Sequence, residues 1–104
     1  MSELDKLEEY LKSRGERYER IDKEPDDFGY DKHQIFVLDE NGKVKWDAIC
    51  QKGSYGYDLG FLEIMGEIVN EEAVGDRVEG WLTASDVIER IETRYGRKYE
   101  KHQD

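Results

Sequence analysis

The residues with the clearest chemical potential lie in segment 53–66, which reads Gly-Ser-Tyr-Gly-Tyr-Asp-Leu-Gly-Phe-Leu-Glu-Ile-Met-Gly. Glycine-rich turns ahead of a helix can bind phosphate through free backbone N–H groups. This segment lacks the Lys-Ser/Thr pair of a phosphate loop, and no cation lies between Gly53 and Asp76 to attract phosphate. Nucleotide binding is therefore disfavoured. Two interpretations remain: a strand-to-helix connection whose tyrosines cover the core, or a recognition surface presenting Tyr55 and Tyr57 as rigid aromatic contacts.

Carboxylates follow the tyrosines at helical spacing. Glu63, Glu67 and Glu71 stand at i, i+4 and i+8 and would form one stripe on a helix that carries no Lys or Arg. Such a stripe is usually a solvated face. The alternative is that the stripe is a docking edge for a basic partner protein. The stripe could then imitate the regular negative charge of nucleic acid. A calcium loop is disfavoured because no Asp-x-Asp-x-Asp-Gly run is present.

The negative charge of the chain is concentrated in this region. From Gly53 to Glu89 the sequence has nine acidic residues and one basic residue, Arg77. The segregation favours a small acidic, non-enzymatic binding or regulatory protein that docks on a basic surface of a partner protein. The predicted binding residues are Tyr55, Tyr57, Asp58, Glu63, Glu67 and Glu71.

Signals for catalysis and for metal binding are weak. Cys50 and His33 flank a predicted hairpin, and only an accident of strand pairing would bring them together. A lone cysteine on an apolar strand is typical of a small buried hydrophobe. Two histidines and one cysteine are few for a metal site, and no spacing selects an acid pair for proton transfer. We therefore predict no cofactor and no metal, and an enzyme is the minority interpretation.

Composition limits the class of protein. The 104 residues suffice for one domain, and the net charge of −10 disfavours direct nucleic-acid binding and anionic membranes. Although 40% of the residues are charged, the aromatic 12% can supply a compact core. One cysteine permits no internal disulfide. No apolar run approaches the roughly 20 residues that span a bilayer, so a cytoplasmic protein of the small acidic type common in bacteria and phages is expected.

The chain must fold into elements that position these groups. Leucines at helical spacing, a Ser2–Asp5 capping pair and Gly15 predict a helix over Glu3–Arg14. The polar stretch Tyr18–Asp22 could form a short edge strand. The strongest local signature predicts a last helix that begins after Thr83, has Asp86 in its capping box and ends at Gly96.

The residue pattern in the middle of the chain predicts a hairpin over residues 34–50. An Asn-Gly pair at Asn41 permits a two-residue turn, which places Val37 opposite Trp46, or a three-residue loop, which places Phe36 there. We favour the three-residue loop, because Phe36, Leu38, Val44 and Trp46 then share the core face.

A second helix is predicted over residues 57–70, where Phe61, Leu62, Met65, Ile68 and Val69 fit a helical stripe. A loop is expected to follow from Asn70 to Gly80. Trp81 is interpreted as a structural residue that covers the sheet and the last helix.

These elements predict a small α+β domain over residues 1–96, with a three-stranded antiparallel sheet and two C-terminal helices, and a flexible tail over 97–104. Two alternatives to the binding protein stay open. One is a small-ligand or enzymatic domain centred on Gly53–Gly60, which requires a concave pocket beside Tyr55 or Tyr57. The other is an assembly subunit that pairs through an exposed edge strand, and the oligomeric state is left open.

Overall fold

Two helices pack against one face of a five-stranded sheet in the computed structural model, which describes residues 1–69 and 78–97. The strands are all antiparallel and lie side by side in chain order. The α+β class, the N-terminal helix and the last helix are therefore confirmed, whereas the three-stranded sheet and the second C-terminal helix are wrong. The elements are α1 (Glu3–Arg14), β1 (Tyr18–Lys23), β2 (Lys32–Leu38), β3 (Val44–Ile49), β4 (Leu62–Gly66), β5 (Val78–Leu82) and α2 (Ala84–Tyr95).

Both helices begin at the capping boxes that the sequence predicts. In α1 the hydroxyl of Ser2 accepts from the backbone of Asp5, whose carboxylate accepts from the backbone of Ser2. Thr83 and Asp86 repeat this arrangement in α2. The carboxylate of Glu3 also accepts the N–H of Ala84 at 2.7 Å. An acidic side chain of α1 therefore stabilises the positive end of α2, which fixes the relative positions of the helix starts.

The core lies between the helices and one face of the sheet. Its members come from both helices and from alternate positions of the inner strands: Leu4, Leu7, Leu11, Ile35, Val37, Trp46, Ala48, Leu62, Ile64, Val87 and Ile91. The intervening residues Phe36, Asp47 and Glu63 point to the opposite face, where each is only half-buried.

The hairpin register differs from the favoured one. Leu38 pairs with Val44, as a three-residue loop requires, but the next pair is Val37 with Trp46. The extra residue is Lys45, which forms a β-bulge. The bulge moves the pairing by one residue, so Val37 joins Trp46 in the core and Phe36 faces outward. The prediction that Phe36 and Val44 share the core face is therefore wrong, since Phe36 is only half-buried and Val44 is 54% exposed.

The predicted helix over residues 57–70 is replaced by a short 3-10 turn at Tyr57–Leu59 and by strand β4. Gly60 ends the turn with φ of 77°. Leu62 and Ile64 are then buried while Met65 is exposed, which is the two-residue period of a strand. Gly66 ends β4 with φ of 112°, and an added Cβ there would lie 2.7 Å from the Trp46 Cα. The close contact explains the glycine.

Part of the predicted loop is also a strand, since Val78–Gly80 belongs to β5. The rest of that loop, residues 70–77, and residues 98–104 of the predicted tail lie outside the described residues. Neither described helix is long and apolar enough to cross a membrane.

Candidate functional site

Two residues with large, exposed aromatic side chains lie where the glycine-rich segment meets β5. Tyr55 is 58% exposed and Trp81 is 59% exposed. The N–H of Trp81 donates to the carbonyl of Tyr55 at 3.3 Å, so the glycine-rich segment and β5 are joined at this point. The interpretation of Trp81 as a structural residue covering the sheet is wrong. The sequence predicts a loop as far as Gly80, so it gives no sign of the irregular strand pairing in which Trp81 lies.

Glycines at two positions allow the segments that carry these rings to touch. An added Cβ on Gly80 would clash with the Cβ of Tyr55, and one on Gly56 would lie 2.8 Å from the Cβ of Phe61. The same Cβ on Gly56 would also lie 3.1 Å from the Trp81 Cα. Real Cβ atoms do not approach so closely. The glycines therefore bring the two aromatic residues together on a tightly packed backbone.

The backbone of Trp81 is in an unusual conformation. Its φ of 62° makes it the one non-glycine residue with positive φ among those described. The left-handed region costs a residue with a side chain about 1–2 kcal/mol, and such outliers concentrate at functional sites. The irregular pairing of β4 with β5 places Leu82 opposite Leu62 and Glu79 opposite Ile64, and Trp81 lies within this irregularity.

Two carboxylates with perturbed pKa values lie near this backbone contact, Glu63 next to Tyr55 and Asp47 next to Glu63. The carboxylate of Glu63 accepts the backbone N–H of Tyr55, yet burial and the nearby Asp47 raise the pKa of Glu63. Burial also raises the pKa of Asp47, which accepts from Gln34 Nε2 at 2.6 Å. We call Tyr55, Trp81, Glu63 and Asp47 the aromatic–acid surface. Both of its acids lose solvation as anions, so a cation placed here would stabilise them.

The structure separates the remaining predicted binding residues. Tyr57 is half-buried, and its hydroxyl donates to Asp31 at 3.0 Å, away from Tyr55. Asp58 is exposed in the 3-10 turn. Glu67 follows β4 and accepts a hydrogen bond from the hydroxyl of Tyr95. Glu71 lies outside the described residues. The helical stripe of carboxylates is therefore wrong, because Glu63 and Glu67 do not lie on a helix.

A cleft of about 740 Å³ opens on the other side of the glycine-rich segment, between the start of α1, strands β1 and β2, and the 3-10 turn. We call it the His33 cleft. Its polar lining includes Arg20, Asp22, Asp31, His33, Tyr57 and Asp58. The concave pocket that a ligand-binding domain requires is therefore present beside Tyr57.

Hydrogen bonds and one longer charged contact connect these polar groups in one chain. After Tyr57, Asp31 lies 3.5 Å from His33 Nε2, and His33 Nδ1 donates to Asp22 at 2.8 Å. Asp22 in turn accepts from Arg20 at 2.9 Å. The hydrogen bond from His33 and the Arg20 guanidinium lower the pKa of Asp22. The chain joins the glycine-rich segment to the edge strand β1.

The hairpin pairing brings Cys50 opposite His33, and the backbone N–H of Cys50 donates to the carbonyl of His33 at 3.0 Å. Strand pairing therefore does bring the two residues together. Burial, together with the charge of Asp31, raises the pKa of the thiol, which favours the unreactive protonated form. Both nitrogens of His33 face carboxylates, so neither is directed at Cys50 as a base. This arrangement favours binding over nucleophilic catalysis.

The described residues contain no group of three or more His, Cys, Asp or Glu side chains arranged to hold a metal ion. Two surfaces are candidates for the site, the aromatic–acid surface and the His33 cleft, and residues 57–61 of the glycine-rich segment line the cleft. Comparisons with protein-family models, with curated proteins and with solved structures each find no match to this chain.

Proposed function

We propose that this chain is a non-enzymatic binding protein that docks on a basic surface of a partner protein through its aromatic–acid surface. The observation that carries the proposal is the exposure of the Tyr55 and Trp81 side chains on two backbone segments that glycines allow to touch. Exposed tyrosine and tryptophan rings with few rotatable bonds are the typical anchors of protein interfaces. The left-handed backbone of Trp81 supports a functional reason for keeping this ring outside.

The charge of the surface favours a cationic partner. Glu63 accepts from the backbone of Tyr55 and lies near Asp47, and both acids have raised pKa values because burial disfavours their anions. A lysine or arginine of the partner would compensate this loss of solvation and could stack on Tyr55 or Trp81. Because Glu63 and Glu67 do not lie on a helix, a regular row of charges that imitates nucleic acid is not part of the proposal. The proposal depends on the four residues of the aromatic–acid surface.

Affinity capture at low and high salt, with matched variants, tests this function. Trp81→Ala and Tyr55→Ala should each weaken capture of the same partner by about 30-fold or more, as expected for interface anchors. Val44→Ala is the control, since Val44 is also exposed, at 54%, but does not belong to the aromatic–acid surface. High salt should reduce capture by wild type, and Glu63→Gln should make the remaining binding less sensitive to salt.

Equal capture of the partner by all four variants would contradict the proposal. Capture that does not change with salt would contradict it as well. Circular dichroism of each variant is needed beside the capture, because loss of binding counts only where the variant is folded.

A further inference from the structure

The His33 cleft is a second site, independent of the aromatic–acid surface. Its volume of about 740 Å³ falls within the range of small-molecule pockets, about 300–1,000 Å³. None of the four residues of the aromatic–acid surface lines it. Its walls come from α1, β1, β2 and the 3-10 turn, so a ligand here would contact four separate parts of the chain.

The positive charge in the cleft is already compensated. The guanidinium of Arg20 contacts Asp5 at 2.9 Å, Glu8 at 3.0 Å and Asp22 at 2.9 Å. Three carboxylates thus surround one cation, and an anionic ligand would have to displace one of them. His33 offers no free cation either, because its two ring nitrogens face Asp22 and Asp31. The charge balance therefore disfavours an anion.

Negative groups remain on the other wall. Asp31 accepts the N–H of Lys52 at 2.8 Å and the hydroxyl of Tyr57 at 3.0 Å, both uncharged donors. Its side chain is only 6% exposed. Asp58 lies on the same wall, exposed in the 3-10 turn. Asp31 also lies 3.5 Å from His33 Nε2, so its charge is partly compensated. The lining as a whole nevertheless carries five carboxylates against the guanidinium of Arg20 and the imidazole of His33, and this balance favours a cation: Glu3, Asp5, Asp22, Asp31 and Asp58.

The lining also has an apolar part. Leu4 lies at the floor and is buried, whereas Leu59 is 67% exposed at the mouth. Phe61 and the ring of Tyr57 line the side. Contact with a ligand would remove Leu59 from water, which contributes about 25 cal/mol for each Å² of apolar surface covered.

We infer that the His33 cleft binds a small organic cation, a primary amine that carries an apolar or aromatic body. The ammonium group contacts Asp31 and Asp58, and the apolar body packs against Leu59 and Phe61. This inference names a ligand class for a site that the docking function does not use, so each can fail without the other.

Titration with 2-phenylethylammonium tests the inference, followed by amide chemical shifts in ¹H–¹⁵N spectra. Phenylacetate and 2-phenylethanol are the matched anion and neutral compound of similar shape. The amine should bind with a dissociation constant of about millimolar order, as expected for so few ligand atoms. Its shifts should map to residues 57–61 and to His33. The anion and the alcohol should bind at least about tenfold more weakly.

Two variants with the same change in charge separate the cleft from general attraction. Asp58→Asn should weaken amine binding by about threefold to fivefold, the usual size of a partly exposed ion pair. Glu89→Gln, on the exposed face of α2, should leave it unchanged. The inference is overturned if phenylacetate binds as tightly as the amine, if about 10 mM amine shifts no cleft resonance, or if both variants weaken binding equally.

Discussion

At the scale of single residues, Trp81 combines two features that rarely occur together. Its backbone has the left-handed φ of 62°, and its large side chain is 59% exposed. A glycine would adopt this φ without steric strain, and alanine or tryptophan would not. Selection for stability alone favours glycine here. The side chain of Trp81 is therefore explained better by contact with a partner than by packing within the chain.

This conformation predicts a reversal of the ordinary order of two substitutions. Trp81→Gly should be more stable than Trp81→Ala by about 1 kcal/mol, because both remove the same ring and only alanine keeps the strain. At Glu89, an exposed position inside α2, alanine should instead be more stable than glycine by about 1 kcal/mol. Urea denaturation of the four variants measures both differences. An alanine that is the more stable residue at position 81 would show that the left-handed backbone carries no strain.

At the scale of elements, close backbone contact joins the glycine-rich segment to β5. An added Cβ on Gly80 would overlap the Cβ of Tyr55, so this contact exists only because position 80 has no side chain. Gly53 differs, since its φ is 94° but nothing lies within 4 Å of an added Cβ. The two glycines are therefore needed for different reasons, one for space and one for backbone conformation.

Alanine at the two positions should separate these reasons. Gly80→Ala should reduce the free energy of unfolding by about 1–3 kcal/mol, because the new methyl group forces the two segments apart. Gly53→Ala should cost about 1 kcal/mol from backbone strain alone. Only Gly80→Ala should also move the ring resonances of Tyr55 and the indole resonance of Trp81. Unchanged ring resonances in a folded Gly80→Ala protein would refute the close contact.

The elements that the sequence predicts well are those with local end signals. Both helices begin at a hydroxyl residue and an acid three positions later, Ser2 with Asp5 and Thr83 with Asp86, and these contacts lie within one turn. The hairpin is similarly local, and its Gly42 has the expected left-handed φ of 83°. The bulge at Lys45 has no local signal in the sequence. It depends on which strand residues fit into the core against the helices.

The prediction of a helix after the hairpin is wrong for a physical reason. Leu62, Met65 and Val69 fit a helical stripe, but Leu62 and Ile64 also fit a strand with one buried face. Strand β4 is stabilised by pairing with β3 and β5, which are distant contacts that periodicity does not contain. Glycines at 60 and 66, both with positive φ, mark its ends. Tyr55 could be predicted as a candidate contact, whereas Trp81 could not, because its exposure depends on the irregular pairing of β5.

At the scale of the whole molecule, the carboxylates fall into two classes that respond to pH in opposite ways. Hydrogen bonds from His33 and the charge of Arg20 lower the pKa of Asp22 at the edge of the cleft. Burial raises the pKa of Asp47 and of Glu63 on the aromatic–acid surface. A lowered pKa means that the folded state stabilises the anion, and a raised pKa means that it disfavours the anion.

Amide substitutions at Asp22 and Asp47 should therefore change stability with opposite signs. At pH 7, Asp22→Asn should be destabilising by up to about 1 kcal/mol, the range of a partly exposed ion pair. Its effect should persist while the wild-type carboxylate is ionised, and disappear only as the pH falls through the lowered pKa. Asp47→Asn should be stabilising at pH 7, because it removes a poorly solvated charge and keeps an oxygen that can accept from Gln34. As the pH falls, Asp47 becomes protonated before Asp22. The stabilisation by Asp47→Asn should therefore disappear at a higher pH than the destabilisation by Asp22→Asn.

Urea midpoints of wild type and both variants between about pH 7 and pH 3 give the two curves, which span the ordinary carboxyl pKa near 4. The curves should lie on opposite sides of wild type at pH 7 and approach it in the order Asp47→Asn, then Asp22→Asn. If Asp47→Asn is the destabilising variant at pH 7, its carboxylate is already well compensated. The aromatic–acid surface would then gain little from a cationic partner, and the proposed docking would have lost its electrostatic basis.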